Sequence, residues 1–140
     1  MRIVIFSPSG SYGPESLPTL TDADEVIVVS WTGTSALSDE RIMVPQRTFG
    51  ARISAATRGN VMLRTLVRVL PTDSGARFWR ATRRDPRVRD AVRRADLIVA
   101  PERDGGFAAW SWRRVAERRG REIPAVSGYP AARTAIGQLR

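Results

Sequence analysis

A short apolar run, followed by a charged turn, two glycines and a helical pattern, constrains the fold of this chain most. The run is Leu97–Ala100, the turn with its glycines is Glu102–Gly106, and the helical pattern begins at Phe107. Because the run has no polar alternation, it predicts a strand that is buried on both faces. Strand, turn and helix in this order form the repeating unit of a parallel α/β sheet. Ligands of such sheets gather beyond the carboxyl ends of the strands.

Four further stretches carry the apolar and β-branched composition of strands. The predicted strands lie near residues 2–7, 25–31, 41–45, 97–101 and 123–127. We expect residues 2–7 and 97–101 at the centre of the sheet because these two runs are continuously apolar. Pro45 places the third strand at an edge, since proline cannot donate to a ladder. Helical periodicity predicts helices from Asn60 to Leu70, after Asp73, and from Pro86 to Arg94. The expected fold is a single α/β domain over residues 1–140, a three-layer Rossmann-like sandwich with a mainly parallel sheet.

The composition excludes several kinds of chemistry. The 140 residues contain no cysteine and no histidine, and all 23 basic residues are arginine. Disulfides, thiolate nucleophiles, imidazole bases and catalytic lysine are therefore absent. Any reaction must depend on carboxylates, hydroxyls, arginine and the backbone. We predict no metal site and no bound cofactor.

Positive charge is concentrated in the middle of the chain. The formal net charge is +9, and residues 46–95 hold thirteen arginines against three acidic residues. Residues 1–45, in contrast, hold two arginines against six acidic residues. Such asymmetry predicts an anionic partner for the middle third. Eight arginines between Arg77 and Arg94 flank Phe78 and Trp79, but no nucleic-acid motif accompanies them, so we expect no specific nucleic acid.

Two loops are expected to meet at one edge of the sheet. The first follows residues 2–7 and contains the small residues Ser9, Gly10 and Ser11, which offer hydroxyl and backbone donors. The second follows residues 97–101 and offers the carboxylates of Glu102 and Asp104. These two carboxylates are the candidate acid–base groups, and the three small residues are candidate ligand contacts. The alternative is that the first loop is a simple turn and that Asp104 caps the following helix.

Three more groups of residues are candidates for binding. Gly105 and Gly106 have no side chains, so an anion could come close to the backbone N–H groups at the start of the helix. Trp110 lies opposite the apolar face of its helix, where an aromatic ring stacks on a sugar or base or is covered by another layer. Four exposed arginines are candidates for an anionic surface, with solvated helix faces as the alternative: Arg83, Arg84, Arg87 and Arg89.

Three features of the chain are shared with a known protein family: the strand at the start, the loop of small residues after it, and the segment RFWRATRRDPRVRDAVRRADLIVAPERDGGFAAW. The chain resembles the N-terminal domain of actinobacterial glycosyltransferases of the GT-B type. The resemblance implies a Rossmann-like domain that binds the sugar or lipid-linked acceptor and touches the membrane surface. It also implies a partner domain or subunit that binds the nucleotide-sugar and contains the catalytic half, which this chain lacks. No apolar run approaches the ~20 residues of a membrane span and the apolar start is too short for a signal peptide, so we expect a cytoplasmic protein, at the inner face of the membrane.

Two other functions stay open at this point. A small Rossmann-like enzyme acting on nucleotides or nucleosides also ends its strands in small loops, and ADLIVA followed by Asp104 is loosely similar to nucleoside deoxyribosyltransferases. That family offers a glutamate where this chain has Trp110 and Trp112 in the following helix. The third function is a non-enzymatic, arginine-rich adaptor that binds anionic surfaces.

Overall fold

The computed structural model describes residues 1–31, 40–45 and 73–140, and within them it contains five strands, four α-helices and one 3-10 turn. The strands are β1 (Arg2–Phe6), β2 (Glu25–Ser30), β3 (Glu40–Met43), β4 (Leu97–Ala100) and β5 (Ala125–Ser127). The helices are α1 (Ser74–Arg84), α2 (Pro86–Arg94), α3 (Arg103–Glu117) and α4 (Tyr129–Leu139), and the 3-10 turn is Pro14–Ser16. The helix predicted from Asn60 to Leu70 lies outside the described residues.

All neighbouring strands of the sheet are parallel, in the order β3-β2-β1-β4-β5. The predicted α/β class, the parallel sheet and the position of the third strand at an edge are therefore confirmed. β1 is the central strand, β4 is its neighbour, and Ile5 and Ile98 are fully buried, as expected of continuously apolar runs. The chain moves outward from β1 to β2 and β3, and then returns to place β4 on the other side. The topological switch point of the sheet thus lies between β1 and β4.

The two faces of the sheet hold separate cores, because side chains alternate between faces along each strand. Val4, Phe6 and Ile98 point to the face covered by α1, α2 and α3. Ile3, Ile5 and Val99 point to the face covered by α4 and by the 3-10 turn with the residues after it. The molecule is therefore a three-layer sandwich.

Residues predicted as helix caps begin α1 and α2. The Asp73 carboxylate accepts the N–H of Gly75 at 3.2 Å, and the Asp85 carboxylate accepts the N–H of Arg87 at 2.9 Å. Pro86 occupies the first helical position of α2, where its missing N–H costs nothing. Local sequence is sufficient to place both helix starts.

The start of α3 differs from the prediction by one helical turn. The helical pattern predicts a start at Phe107, but the helix begins at Arg103, with Glu102 as its N-cap. Gly105 and Gly106 therefore lie within the first turn of the helix. The reason is tertiary: a Cβ atom at Gly105 would lie 2.0 Å from the carbonyl oxygen of Phe6, so only glycine allows α3 to pack onto the end of β1.

The end of α4 is tied to the start of β2 through Asp24. Its carboxylate accepts the N–H of Thr21 at 2.9 Å, the hydroxyl of the same residue, and the Arg140 guanidinium at 2.5 Å. The hydrogen bond from the Thr21 N–H is the main reason that the pKa of Asp24 lies well below its usual range. Desolvation opposes this shift, and the amino group of Met1, the Thr21 hydroxyl and Arg140 add to it. The folded state therefore favours the ionised carboxylate.

We expect the stability that Asp24 contributes to be complete above the unfolded-state pKa of about 3.9 and to disappear as the pH falls further. The unfolded chain takes up the proton first, so acid favours unfolding. Denaturant midpoints measured between pH 6 and pH 2 should fall less steeply for Asp24→Asn than for the unsubstituted protein. Asp22→Asn, which removes an exposed carboxylate two residues away, should keep the original slope. Parallel pH profiles for the unsubstituted protein and Asp24→Asn would contradict this assignment.

Candidate functional site

The loop after β1 and the start of α3 meet at the carboxyl edge of the sheet, through a cluster of Ser7, Ser9 and Glu102. Both serine hydroxyls donate to Oε1 of Glu102, the Ser9 hydroxyl at 2.5 Å. The backbone N–H of Ser9 donates to Oε2 of the same carboxylate at 3.2 Å. We call these three residues the Ser–Glu cluster. It lies at the switch point between β1 and β4, where sheets of this order bind their ligands.

The loop after β1 is shaped to present its donors to Glu102. The N–H of Gly10 donates to the carbonyl of Ser7 at 2.8 Å, and Gly10 has a φ of 75°, which glycine adopts without strain. The N–H of Ser11 donates to the Ser9 hydroxyl at 3.1 Å. Since that hydroxyl also donates to Glu102, its orientation is fixed from both sides. The loop is therefore a tight turn that also positions polar groups.

Glu102 occupies the N-cap of α3 but makes no capping hydrogen bond to the helix. Its carboxylate is held by the two serines instead, and it remains partly exposed. An ionised carboxylate has about four acceptor sites, and the three protein donors leave about one of them open. Glu102 is thus positioned to accept one further hydrogen bond from outside the protein.

Tyr129 closes the cluster on the side of β5. Its hydroxyl donates to the carbonyl of Ser11 at 2.8 Å, and its ring packs against Tyr12 at a centroid distance of 6.4 Å. Burial raises the pKa of Tyr129, and the negative charges of Glu102 and Glu15 raise it further. The phenol therefore stays neutral and acts as a hydrogen-bond donor at this edge.

Asp104 lies at the second helical residue of α3, and its side chain makes no hydrogen bond or ion pair with the part of the chain that the structure describes. The alternative that Asp104 caps the helix is wrong, because Glu102 is the N-cap residue. Its negative charge in the first turn still interacts favourably with the helix dipole. Of the two predicted carboxylates, Glu102 is the one in contact with Ser9.

The aromatic candidate Trp110 lies on the outer face of α3 and is 55% exposed. Its ring is 6.2 Å from the ring of Phe107, which is also exposed, and the guanidinium of Arg114 lies 5.5 Å from its centroid. The alternative of an overlying layer is therefore wrong, because α4 packs on the opposite side of the sheet. Trp110 belongs to a separate aromatic surface with Phe107 and Arg114.

All four predicted anion-binding arginines are exposed on α1 and α2: Arg83, Arg84, Arg87 and Arg89. Arg87 is the most engaged of the four, because it donates twice to the Asp85 carboxylate and once to the carbonyl of Met43. This pairing lowers the pKa of Asp85 and raises that of Arg87. Residues 46–72 of the arginine-rich middle third lie outside the described residues.

Two findings concern metal sites and membrane spans. Within residues 1–31, 40–45 and 73–140, no group of three or more carboxylates is placed to hold a metal ion. In the same ranges, no helix combines the length and the apolar character that crossing a bilayer requires.

Comparison with protein-family models, with curated proteins and with solved structures found no match for this chain.

The sequence predicted that Ser9 and Glu102 lie at the same edge of the sheet, but it did not identify Ser7 and Tyr129 as site residues. Ser7 follows directly after an apolar run, and a polar residue at a strand end was a signal available in the sequence. Tyr129 follows β5 within Gly128-Tyr129-Pro130, at the same edge of the parallel sheet. Because all five strands are parallel, a residue after any strand was a candidate for this site.

Proposed function

We propose that this domain binds a hydroxyl-rich, sugar-bearing acceptor at the Ser–Glu cluster, as the acceptor-side domain of a glycosyltransferase. The observation that carries the proposal is the partly exposed Glu102 carboxylate, held by Ser7 and Ser9 at the switch point with about one acceptor site open. A sugar hydroxyl is a donor suited to that site. The exposed hydroxyl-bearing loop and the neutral Tyr129 add polar partners around it.

In this proposal Glu102 orients the acceptor and takes its proton. The acceptor oxygen forms a bond to the anomeric carbon of a nucleotide-sugar, the bond from that carbon to the nucleoside diphosphate breaks, and Glu102 accepts the hydroxyl proton. A partner domain or subunit supplies the nucleotide-sugar. Orientation by the Ser–Glu cluster requires no rearrangement, because the protein already fixes the carboxylate.

The exposed arginines of α1 and α2 fit the membrane-surface part of this function. Arg83, Arg84 and Arg89 lie on the outer side of the layer formed by α1 and α2. Anionic lipid surfaces attract such arginines, with a strong dependence on salt. An acceptor linked to a lipid would then be presented to a domain already held at the bilayer.

The binding experiment compares neutral oligosaccharides, nucleosides and sugar nucleotides by thermal shift, followed by calorimetry. We expect at least one oligosaccharide to raise the Tm and to bind about tenfold more weakly to both Glu102→Gln and Ser9→Ala. Glu102→Gln removes the charge-assisted hydrogen bond to the ligand, and Ser9→Ala removes a hydrogen bond that holds the Glu102 carboxylate in position. Glu117→Gln, which changes an exposed carboxylate near the far end of α3, should bind unchanged. Stabilisation by nucleosides alone would favour the nucleoside-processing enzyme, and binding to acidic vesicles alone would favour the adaptor.

The same assay tests whether Asp104, the other candidate acid–base group, contacts the acceptor. Since Asp104 makes no hydrogen bond with a described residue, we expect Asp104→Asn to weaken acceptor binding less than Glu102→Gln does. A larger loss of affinity in Asp104→Asn than in Glu102→Gln would mean that Asp104, and not Glu102, contacts the acceptor.

A further inference from the structure

A groove of about 380 Å³ lies at the opposite edge of the sheet from the Ser–Glu cluster. The C-terminal halves of α2 and α3 form its walls, and these helices lead into the amino ends of β4 and β5. We define the arginine groove by its apolar floor, which includes Val92, Trp112 and Val115, and by its rim of Arg89, Arg93, Arg119 and Arg121. Its volume lies at the lower end of the range for small-molecule sites.

The floor of the arginine groove is held in place by a hydrogen bond and a ring contact. Trp112 is 3% exposed, its indole N–H donates to the hydroxyl of Thr82 at 3.2 Å, and its ring packs edge-on against Trp79. Arg121 fixes the wall by donating to the carbonyls of Val92, Arg93 and Ala95, which end α2. Because these groups are already satisfied, the groove is a preformed cavity.

Among the described residues, no carboxylate forms an ion pair with any of the four arginines of the rim. The side chains of Arg93 and Arg119 make no hydrogen bond or ion pair with residues 1–31, 40–45 or 73–140. Asp90 of α2 and Glu117 of α3 pair instead with arginines outside the groove, Asp90 with Arg94 at 2.6 Å and Glu117 with Arg113 at 2.8 Å. Glu122 is exposed and does not line the groove.

We propose that the arginine groove binds an anionic amphiphile, a molecule with a single alkyl or acyl chain that ends in a phosphate. The chain would lie on the apolar floor, where burial removes it from water. The phosphate would lie at the rim, where arginines donate paired hydrogen bonds to its oxygens. The site shares Arg89 with the proposed membrane-facing surface but uses none of the residues of the Ser–Glu cluster, so acceptor binding and amphiphile binding can fail separately.

The test measures the binding of dodecyl phosphate below its critical micelle concentration. Inorganic phosphate tests the charged group alone, and neutral dodecyl maltoside tests the alkyl chain alone. We expect dodecyl phosphate to bind one-to-one, at least about tenfold more tightly than either half. The double variant Arg93→Gln and Arg119→Gln should weaken this binding by about tenfold or more. The control pair Arg80→Gln and Arg103→Gln removes equal charge from exposed residues outside the groove and should change the affinity less than about twofold.

Nuclear magnetic resonance of the unsubstituted protein tests the site without any substitution that could affect folding. Dodecyl phosphate should shift the indole N–H signal of Trp112 on the floor and leave that of exposed Trp110 in place. The proposal is overturned if both arginine pairs weaken binding equally, if inorganic phosphate binds as tightly, or if the Trp112 signal does not move. Binding that occurs only on vesicles containing phosphatidylglycerol would also overturn it, since the ligand would then be a membrane surface.

Discussion

Phe78→Ala is expected to lower the free energy of unfolding by about 3–5 kcal/mol, the usual cost of truncating a buried phenylalanine. Phe78 is fully buried on α1, and its ring contacts Phe6 of β1 at a centroid distance of 6.2 Å and Trp31 at 5.2 Å. The substitution removes both edge-to-face contacts and leaves a cavity between the helix layer and the end of the central strand. Denaturant unfolding monitored by circular dichroism measures the loss.

Phe107→Ala is the matched control for this prediction. Phe107 is 43% exposed on α3, so its truncation removes far less buried area and should cost no more than about 1 kcal/mol. Both changes remove the same atoms from the chain. A loss for Phe78→Ala as small as that for Phe107→Ala would mean that α1 is not packed on the sheet in solution.

Gly105→Ala is expected to destabilise the protein by about 2–4 kcal/mol and to disturb the Ser–Glu cluster as well. The added methyl group would lie 2.0 Å from the carbonyl oxygen of Phe6, a backbone atom that cannot rotate away. Either the start of α3 or the end of β1 must then move. Since Glu102 is the N-cap of α3 and Ser7 follows β1, the distance between their side chains changes with that movement.

Gly106→Ala separates this steric effect from the helix propensity of alanine. A Cβ atom at Gly106 meets nothing within 4 Å, so the substitution should stabilise α3 by up to about 1 kcal/mol. Thermal unfolding should therefore give a lower Tm for Gly105→Ala and an equal or higher Tm for Gly106→Ala. Equal effects of the two substitutions would contradict the close approach of α3 to β1.

The sequence was sufficient for the class of fold and for the elements that depend on local chemistry. Continuous apolar runs predicted the buried strands β1 and β4, and the aspartate caps with Pro86 predicted the starts of α1 and α2. These features are local, because burial on both faces and capping leave a signature within a few residues. The parallel direction of the strands then followed from the alternation of strands and helices.

Tertiary structure decided the start of α3 and the composition of the candidate site. Helix propensity predicts that Gly105 and Gly106 precede the helix, yet the close approach to Phe6 requires glycine within its first turn. Likewise, Asp104 and Glu102 are equivalent by sequence, two residues apart at one strand end. Only packing shows that the serine hydroxyls at the end of β1 reach Glu102.

Composition and charge alone could not predict the arginine groove. The sequence establishes that arginine is abundant in the middle third, and the helical periodicity places it on outer faces. Which arginines remain without a carboxylate partner depends on distances between α2, α3 and the residues before β5. Such distances are set by how the helices pack on the sheet, because residues far apart in the chain become neighbours only in the folded molecule.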